Sequence, residues 1–346
     1  MNSRQRFRET IDFGTPDRVP LFPEGIREGV LEVWQAQGLP ADADLGVMFN
    51  YDEFEEFEPD LEPRPALFNW QVKKGGLKEL RRRLDPADPR RLPSRWQEKV
   101  QRWKQRQHAL FLEIHQGFFL TMGVEGWQGF TEALRLLKDD PQRVHEIMAI
   151  QAEFAAKLAE WILREVEVDG VIFSEPIAGN HGLLISPQMY ADFVLKSYEP
   201  ILDVLESHNV KTIILRTYAN TRALLPVVVA SRINSLWACE CNPESMDYRQ
   251  LRAEFGPRLR LIGGIDTDIL RQSQAAIRSE IEEKVLPLLS EGGYVPLADG
   301  RVREDIPFEN YAFYRKSLEE ITHQSSVLIL RRRRLSEPSS PRDSAL

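Results

Sequence analysis

Short apolar runs alternate with amphipathic segments along most of this chain, and that alternation restricts the fold more than any other feature. Eight runs are readable: RVPLF (18–22), YDEFEEF (51–57), ALFLEIH (109–115), GVIFSEP (170–176), KTIILRT (211–217), SLWACEC (235–241), LRLIGGID (259–266) and GGYVPLAD (292–299). Between the last five lie stretches with helical periodicity, such as PQMYADFVLKSYEPILDVLESHN and SQAAIRSEIEEKVLPLLSEGG. Strands separated by helices pair in parallel through right-handed crossovers. Eight such units within 346 residues predict the α/β class and a single (β/α)8 TIM-type barrel. Asp140-Pro141 and Ser186-Pro187 each place a capping side chain before a proline, which predicts two helix starts.

The region 59–105 interrupts the alternation with repeated prolines, as in EPDLEPRPALF and LDPADPRRLP, and is expected to be an excursion covering the barrel rim. The barrel is predicted to occupy residues 1–321. Residues 322–346, ending in RRRRLSEPSSPRDSAL, combine charge, serine and proline and are expected to form a disordered tail.

A net charge of −8 and a pI of about 5.5 argue against nucleic-acid binding, which calls for a basic face. The N-terminus has no apolar signal-peptide core, and no run is long enough to span a bilayer. A cytoplasmic protein with no membrane partner is therefore expected. Only Cys239 and Cys241 occur, which excludes a disulfide framework; inside a strand they read as small buried hydrophobes rather than metal ligands.

In barrels of this kind the chemistry sits at the C-terminal ends of the strands. Those positions carry Glu24, Glu113, His115, Glu175, Arg216, Tyr218, Glu240, Asp266 and Asp299. Loop solvation alone puts polar groups at strand ends, so their convergence matters more than any one of them. Glu240 interrupts an apolar run between Cys239 and Cys241. It is expected to be buried, with Arg216 on the adjacent strand as its partner. His181 sits in a glycine-flanked loop able to contact a ligand, and Gly263-Gly264 is best explained by close packing.

Four blocks together resemble the uroporphyrinogen decarboxylase superfamily, which also contains corrinoid-dependent methyltransferases. They are RQRFRETIDFGTPDRVPLFPEG (4–25), EVDGVIFSEPIAGNHGLLISPQMY (167–190), LRLIGGIDTDIL (259–270) and EGGYVPLADGRVREDIPFENYAFY (291–314). The resemblance implies a (β/α)8 barrel with its ligand, a small molecule or a tetrapyrrole, in the mouth. Where decarboxylases carry an arginine-rich stretch that binds substrate carboxylates, FPEGIREGVLEVW keeps only Arg27, and Glu24 and Glu28 would repel a polyanionic porphyrinogen.

Zinc-dependent methyltransferases of the superfamily place an H-x-C-G-N motif where this chain has Arg216, Tyr218, Ala219 and Asn220. Both metal ligands are replaced, so neither zinc nor another metal is expected. The resemblance, with the acids at the strand ends, assigns Glu175, Glu240, Tyr218 and Asp266 as candidate catalytic groups. Arg216, His115, His181, Asn220, Glu24 and Asp299 are candidate substrate contacts. Arg216 is read as an anion clamp, or as the cation that neutralises Glu240 and Glu175. The function implied is a methyltransferase-type enzyme that acts on a small substrate with a corrinoid or a corrinoid protein as partner and holds no cofactor tightly itself. Uroporphyrinogen decarboxylation and a non-catalytic binding barrel are the alternatives.

Overall fold

The computed structural model describes residues 1–67, 76–179, 181–240 and 246–336, with side chains described as far as residue 323. Seven parallel strands form one sheet: β1 (Phe54–Phe57), β2 (Ala109–His115), β3 (Gly170–Glu175), β6 (Ile213–Tyr218), β7 (Ser235–Cys239), β8 (Arg260–Ile265) and β9 (Tyr294–Ala298). They pair in that order, and a short antiparallel hairpin, β4 (Ala178–Gly179) and β5 (Gly182–Leu183), follows β3.

The sheet curls, because side chains from all seven strands meet in one inner cluster. Phe54, Phe111, Ile172, Ile214, Trp237, Ile262 and Val295 pack there around Phe22. The helix Ser3–Ile11 closes the end where the strands begin. Its Phe7 and Ile11 join the inner cluster, and its backbone bonds to Gln107 before β2 and Gly293 before β9. Alternate strand residues face outward into two larger clusters, one under the helix Pro141–Glu165 and one under the helix beginning at Phe308. Both predicted helix starts are capped: Asp140 accepts from the Arg143 amide and Ser186 from the Met189 amide.

Three expectations need correction. The run 18–22 forms no strand, so the hydrogen-bonded sheet has seven strands rather than eight. Pro20 and Pro23 lack the N–H that a ladder requires, and side chains take up the carbonyls. Arg315 donates to Leu21 O (3.2 Å) and Phe22 O (3.0 Å). The segment still lies beside the start of β1, since the Asp52 amide donates to Leu21 O at 3.0 Å.

Within region 59–105, of which 68–75 lie outside the described residues, the two helices are not a rim cover. Its helices Gly76–Arg83 and Trp96–Lys104 pack on the outer face, where Trp103 meets Phe57 at 4.4 Å between ring centroids and Arg102 pairs with Glu55. Last, the helix from Phe308 runs to Ser336, so 322–336 continue it, while 337–346 lie outside the described residues.

Candidate functional site at the strand ends

Strand alternation decides which polar groups face inward. Glu56 follows Phe54 by two residues, Glu113 follows Phe111, Ser174 follows Ile172, Arg216 follows Ile214 and Cys239 follows Trp237. Each therefore stands one layer above the inner cluster. The register sets Ser174 opposite Arg216 and Arg216 opposite Trp237, while Glu56 stands opposite Phe111 and Glu113 opposite Ile172.

At the centre lies Arg216. Its Nη1 donates to Glu113 Oε2 at 3.2 Å, and its Nη2 bonds to Glu56. The guanidinium carbon sits 4.5 Å from the centre of the Trp237 ring, a stacking worth about 0.5–2 kcal/mol. This overturns the expected pairing of Arg216 with Glu240 and Glu175. It also means that two carboxylates already occupy the guanidinium, so it is no ready clamp for an anion.

Burial pushes Glu113 up to about 7; Arg216 opposes the shift, while Glu58 and Glu56 add to it. A carboxyl near neutrality both gives and takes protons, as acid–base chemistry requires. Tyr218, half-buried on the same face with Ser174 as hydrogen-bond partner, is also pushed up, chiefly by burial. Cys239 is held as a neutral thiol, its pKa raised to about 12 by burial.

The ends of β6 and β7 are conformationally unusual. Ala219 (φ 57°) and Glu240 (φ 47°) both adopt the left-handed region without being glycine, and the Ala219 amide donates to Cys239 O at 3.2 Å. Left-handed non-glycine residues cluster at functional sites. The turn also explains why Glu240 is not buried as expected. β7 ends at Cys239, and the Glu240 carboxylate swings out to a side-chain exposure of 59%, with Arg27 at 3.8 Å. Cys241 lies outside the described residues.

The remaining predicted residues stand apart from this cluster. Glu24 is fully buried behind the mouth, where Tyr311 and Tyr314 each donate to it at 2.7 Å and Arg315 pairs with it at 3.0 Å. Glu175 has the parity of Val171 and Phe173 and faces outward; Tyr198 and the Phe118 amide donate to it at 3.0 and 2.9 Å. A register shift between Glu113 and His115 sends His115 to that outer side as well. Asp299 accepts from the Thr267 amide and hydroxyl. Asp266 caps the turn at Asp268, and Asn220 caps the one at Arg222. His181 is exposed in the β4–β5 turn.

Gly263 and Gly264 serve packing, as expected. Both have positive φ, and a Cβ on Gly264 would lie 2.5 Å from the Tyr248 ring. The space admits the Tyr248 hydroxyl, which donates to Ile262 O and accepts from the Ala238 amide, taking the place of a ladder bond between β7 and β8.

Zinc does not fit this site. The guanidinium stands between the two nearest carboxylates and is bonded to both. Among the described residues, no three His, Cys, Asp or Glu side chains are grouped to hold a metal ion, and no helix is long and apolar enough to cross a membrane.

Among solved structures, a methyltransferase from Methanosarcina mazei is similar in fold, with a TM-score of 0.56, 14% identity, and coverage of 92% of this chain and 99% of that one. A uronate isomerase from Bacillus halodurans also aligns, over 74% of this chain and 61% of that one, with 13% identity and a TM-score of only 0.32. No curated protein matches the sequence. Residues 119–319, more than half of the chain, match the family described as uroporphyrinogen decarboxylase (URO-D). The chain belongs to the uroporphyrinogen decarboxylase family.

Proposed function

We propose that this protein is a methyltransferase-type member of its family, with a small substrate bound at the strand ends and a corrinoid brought by a partner protein. In this reading the segment 19–25 takes the eighth position of a (β/α)8 barrel, and Glu113 holds or releases a proton beside the substrate. The observation that carries the proposal is the inward Glu56–Arg216–Glu113 bridge over Trp237. It offers an acid–base group and an aromatic floor but no unspent cation for a polycarboxylate. The fold shared with the Methanosarcina methyltransferase over 92% of this chain supports the same choice.

The partner would approach the side on which the strands end. There the segments after β2 and β3 expose Leu120, Trp127 and Leu184, the first two on short helical stretches, with Trp127 edge-on to Phe130 at 5.9 Å between ring centroids. When bound, the corrinoid supplies or accepts the methyl group; this chain's own residues bind and orient the small substrate and manage its proton.

Anaerobic incubation with methylcobalamin and a panel of small thiols, amines and alcohols tests the reading, and methyl transfer is the expected result. The family match favours uroporphyrinogen decarboxylation as a second reading. Uroporphyrinogen offered in the same assay decides between them: the neutralised Arg216 predicts no decarboxylation, and coproporphyrinogen formation would replace the methyltransferase reading.

A further inference from the structure

Arg216 divides its hydrogen bonds between two acids where one could take both. A guanidinium beside a carboxylate frequently closes a fork of two parallel bonds, at about 2.7–2.9 Å. Here Glu113 receives only Nη1, at the longer distance of 3.2 Å, and Nη2 goes to Glu56. Glu56 is the more distant partner in the sheet, since both β2 and β3 lie between β1 and β6. The guanidinium therefore passes half of its fork over the nearer carboxylate.

The Trp237 ring, 4.5 Å from the guanidinium carbon, is a second anchor for Arg216. Neither Glu56 nor Trp237 depends on the charge of Glu113. The other titratable groups around this pair do not hold the guanidinium. Glu58, of the same inward parity as Phe54 and Glu56, adds like charge beside Glu113 and makes no ion pair with Arg216 among the described residues. Tyr218 on β6 bonds to Ser174 on β3, and Cys239 on β7 is a neutral thiol. An opposite charge at hydrogen-bond distance commonly pulls a carboxyl down by about 1–3 pH units, yet Glu113 stays near 7 beside Arg216.

We propose that Glu56 is a positioning residue for Glu113: by taking Nη2 it stops Arg216 from closing a two-bond fork on the Glu113 carboxylate, which leaves that carboxyl free to exchange its proton. With Trp237 it also keeps the guanidinium in place while Glu113 gains and loses that proton. Glu56 acts through Arg216 and needs no contact with a substrate. The role deepens the proton handling proposed for Glu113 and rests on that reading for its purpose, but the divided fork belongs to the resting protein and is tested there.

Carbon-13 NMR of the full chain, labelled at the glutamate side-chain carboxyl carbon, reads the proton on Glu113 without substrate; the Glu113 signal is the one lost in Glu113→Gln. The wild-type midpoint is expected near 7. In Glu56→Ala, Nη2 can join Nη1 on Glu113, and the midpoint is expected to fall by about 1 pH unit or more. Glu56→Gln, which removes the charge with less change of shape, should lower it as well and serves if Glu56→Ala fails to fold. Glu58→Ala removes a like charge without releasing Nη2 and should lower the midpoint less, as should Glu56→Asp, which keeps the charge. An unmoved midpoint in the folded Glu56 variants, or a fall no larger than in Glu58→Ala, would overturn the role. The expected fall in a protein that transfers no methyl group would support the role and count against the functional reading alone.

Discussion

Arg216 and Glu113 lie on strands that are not neighbours, yet the guanidinium reaches the carboxylate at 3.2 Å across the inward face of β3. A second carboxylate, Glu56 on β1, completes the bridge. Three strands are thus tied together at the level where a substrate would bind.

Removing the cation leaves two half-buried carboxylates facing each other. Arg216→Met is expected to lose about 3–5 kcal/mol of stability at pH 8, in line with breaking a buried pair by deleting one partner. The loss should shrink at pH 5, where protons can replace the missing charge. Urea unfolding of wild type and variant at the two pH values measures both effects.

Glu113 carries a pH signature of its own. Its pKa in the fold, about 7, lies above the ordinary 4.5, so folding favours the protonated form. The stability this contributes is complete below about pH 4.5 and is lost as pH rises through 7, a change on the order of 3 kcal/mol. Glu113→Gln should flatten that slope in a series of denaturant midpoints. An unchanged slope would mean that another group titrates there.

The Glu24–Arg315 pair joins the run 19–25 to the C-terminal helix, and both side chains are essentially inaccessible, at 0% and 1% exposure. Glu24→Gln and Arg315→Met are each expected to cost about 3–5 kcal/mol, and the double variant less than the sum, because neither then leaves an unpaired buried charge. A double-mutant cycle by chemical denaturation reads the coupling directly.

At Gly264 a side chain meets two obstacles, a φ of +88° and the Tyr248 ring. Gly264→Ala is predicted to cost about 1–3 kcal/mol and to loosen the pairing of β7 with β8. Faster hydrogen exchange at the Ala238 amide, which Tyr248 now holds, would report that loosening.

Much of this was legible from residue order. The alternation of runs gave the parallel α/β sheet, and Arg216 was singled out because a buried strand seldom ends in a guanidinium. Parity was the signal left unused. Glu56 and Glu113 share the inward parity of Phe54 and Phe111, whereas Glu175 shares the outward parity of Val171 and Phe173. Counting in twos would have placed Glu56 beside Arg216 and removed Glu175. Other features had no local signal. The bulge that turns His115 outward and the left-handed turn that exposes Glu240 arise from backbone geometry. The missing first strand had both kinds of cause: Pro20 and Pro23 are a local one, and Arg315, nearly 300 residues away, which donates to the Leu21 and Phe22 carbonyls, is a distant one.

The central claim is that Glu113 manages a proton during methyl transfer at the mouth. The most direct measurement is the pH dependence of kcat/KM for transfer between methylcobalamin and a small acceptor, in wild type and Glu113→Gln. The account predicts a break near pH 7 in the wild type, and in the variant a loss of about 100-fold or more with no break. Equal rates and matching pH profiles in the two proteins would contradict it.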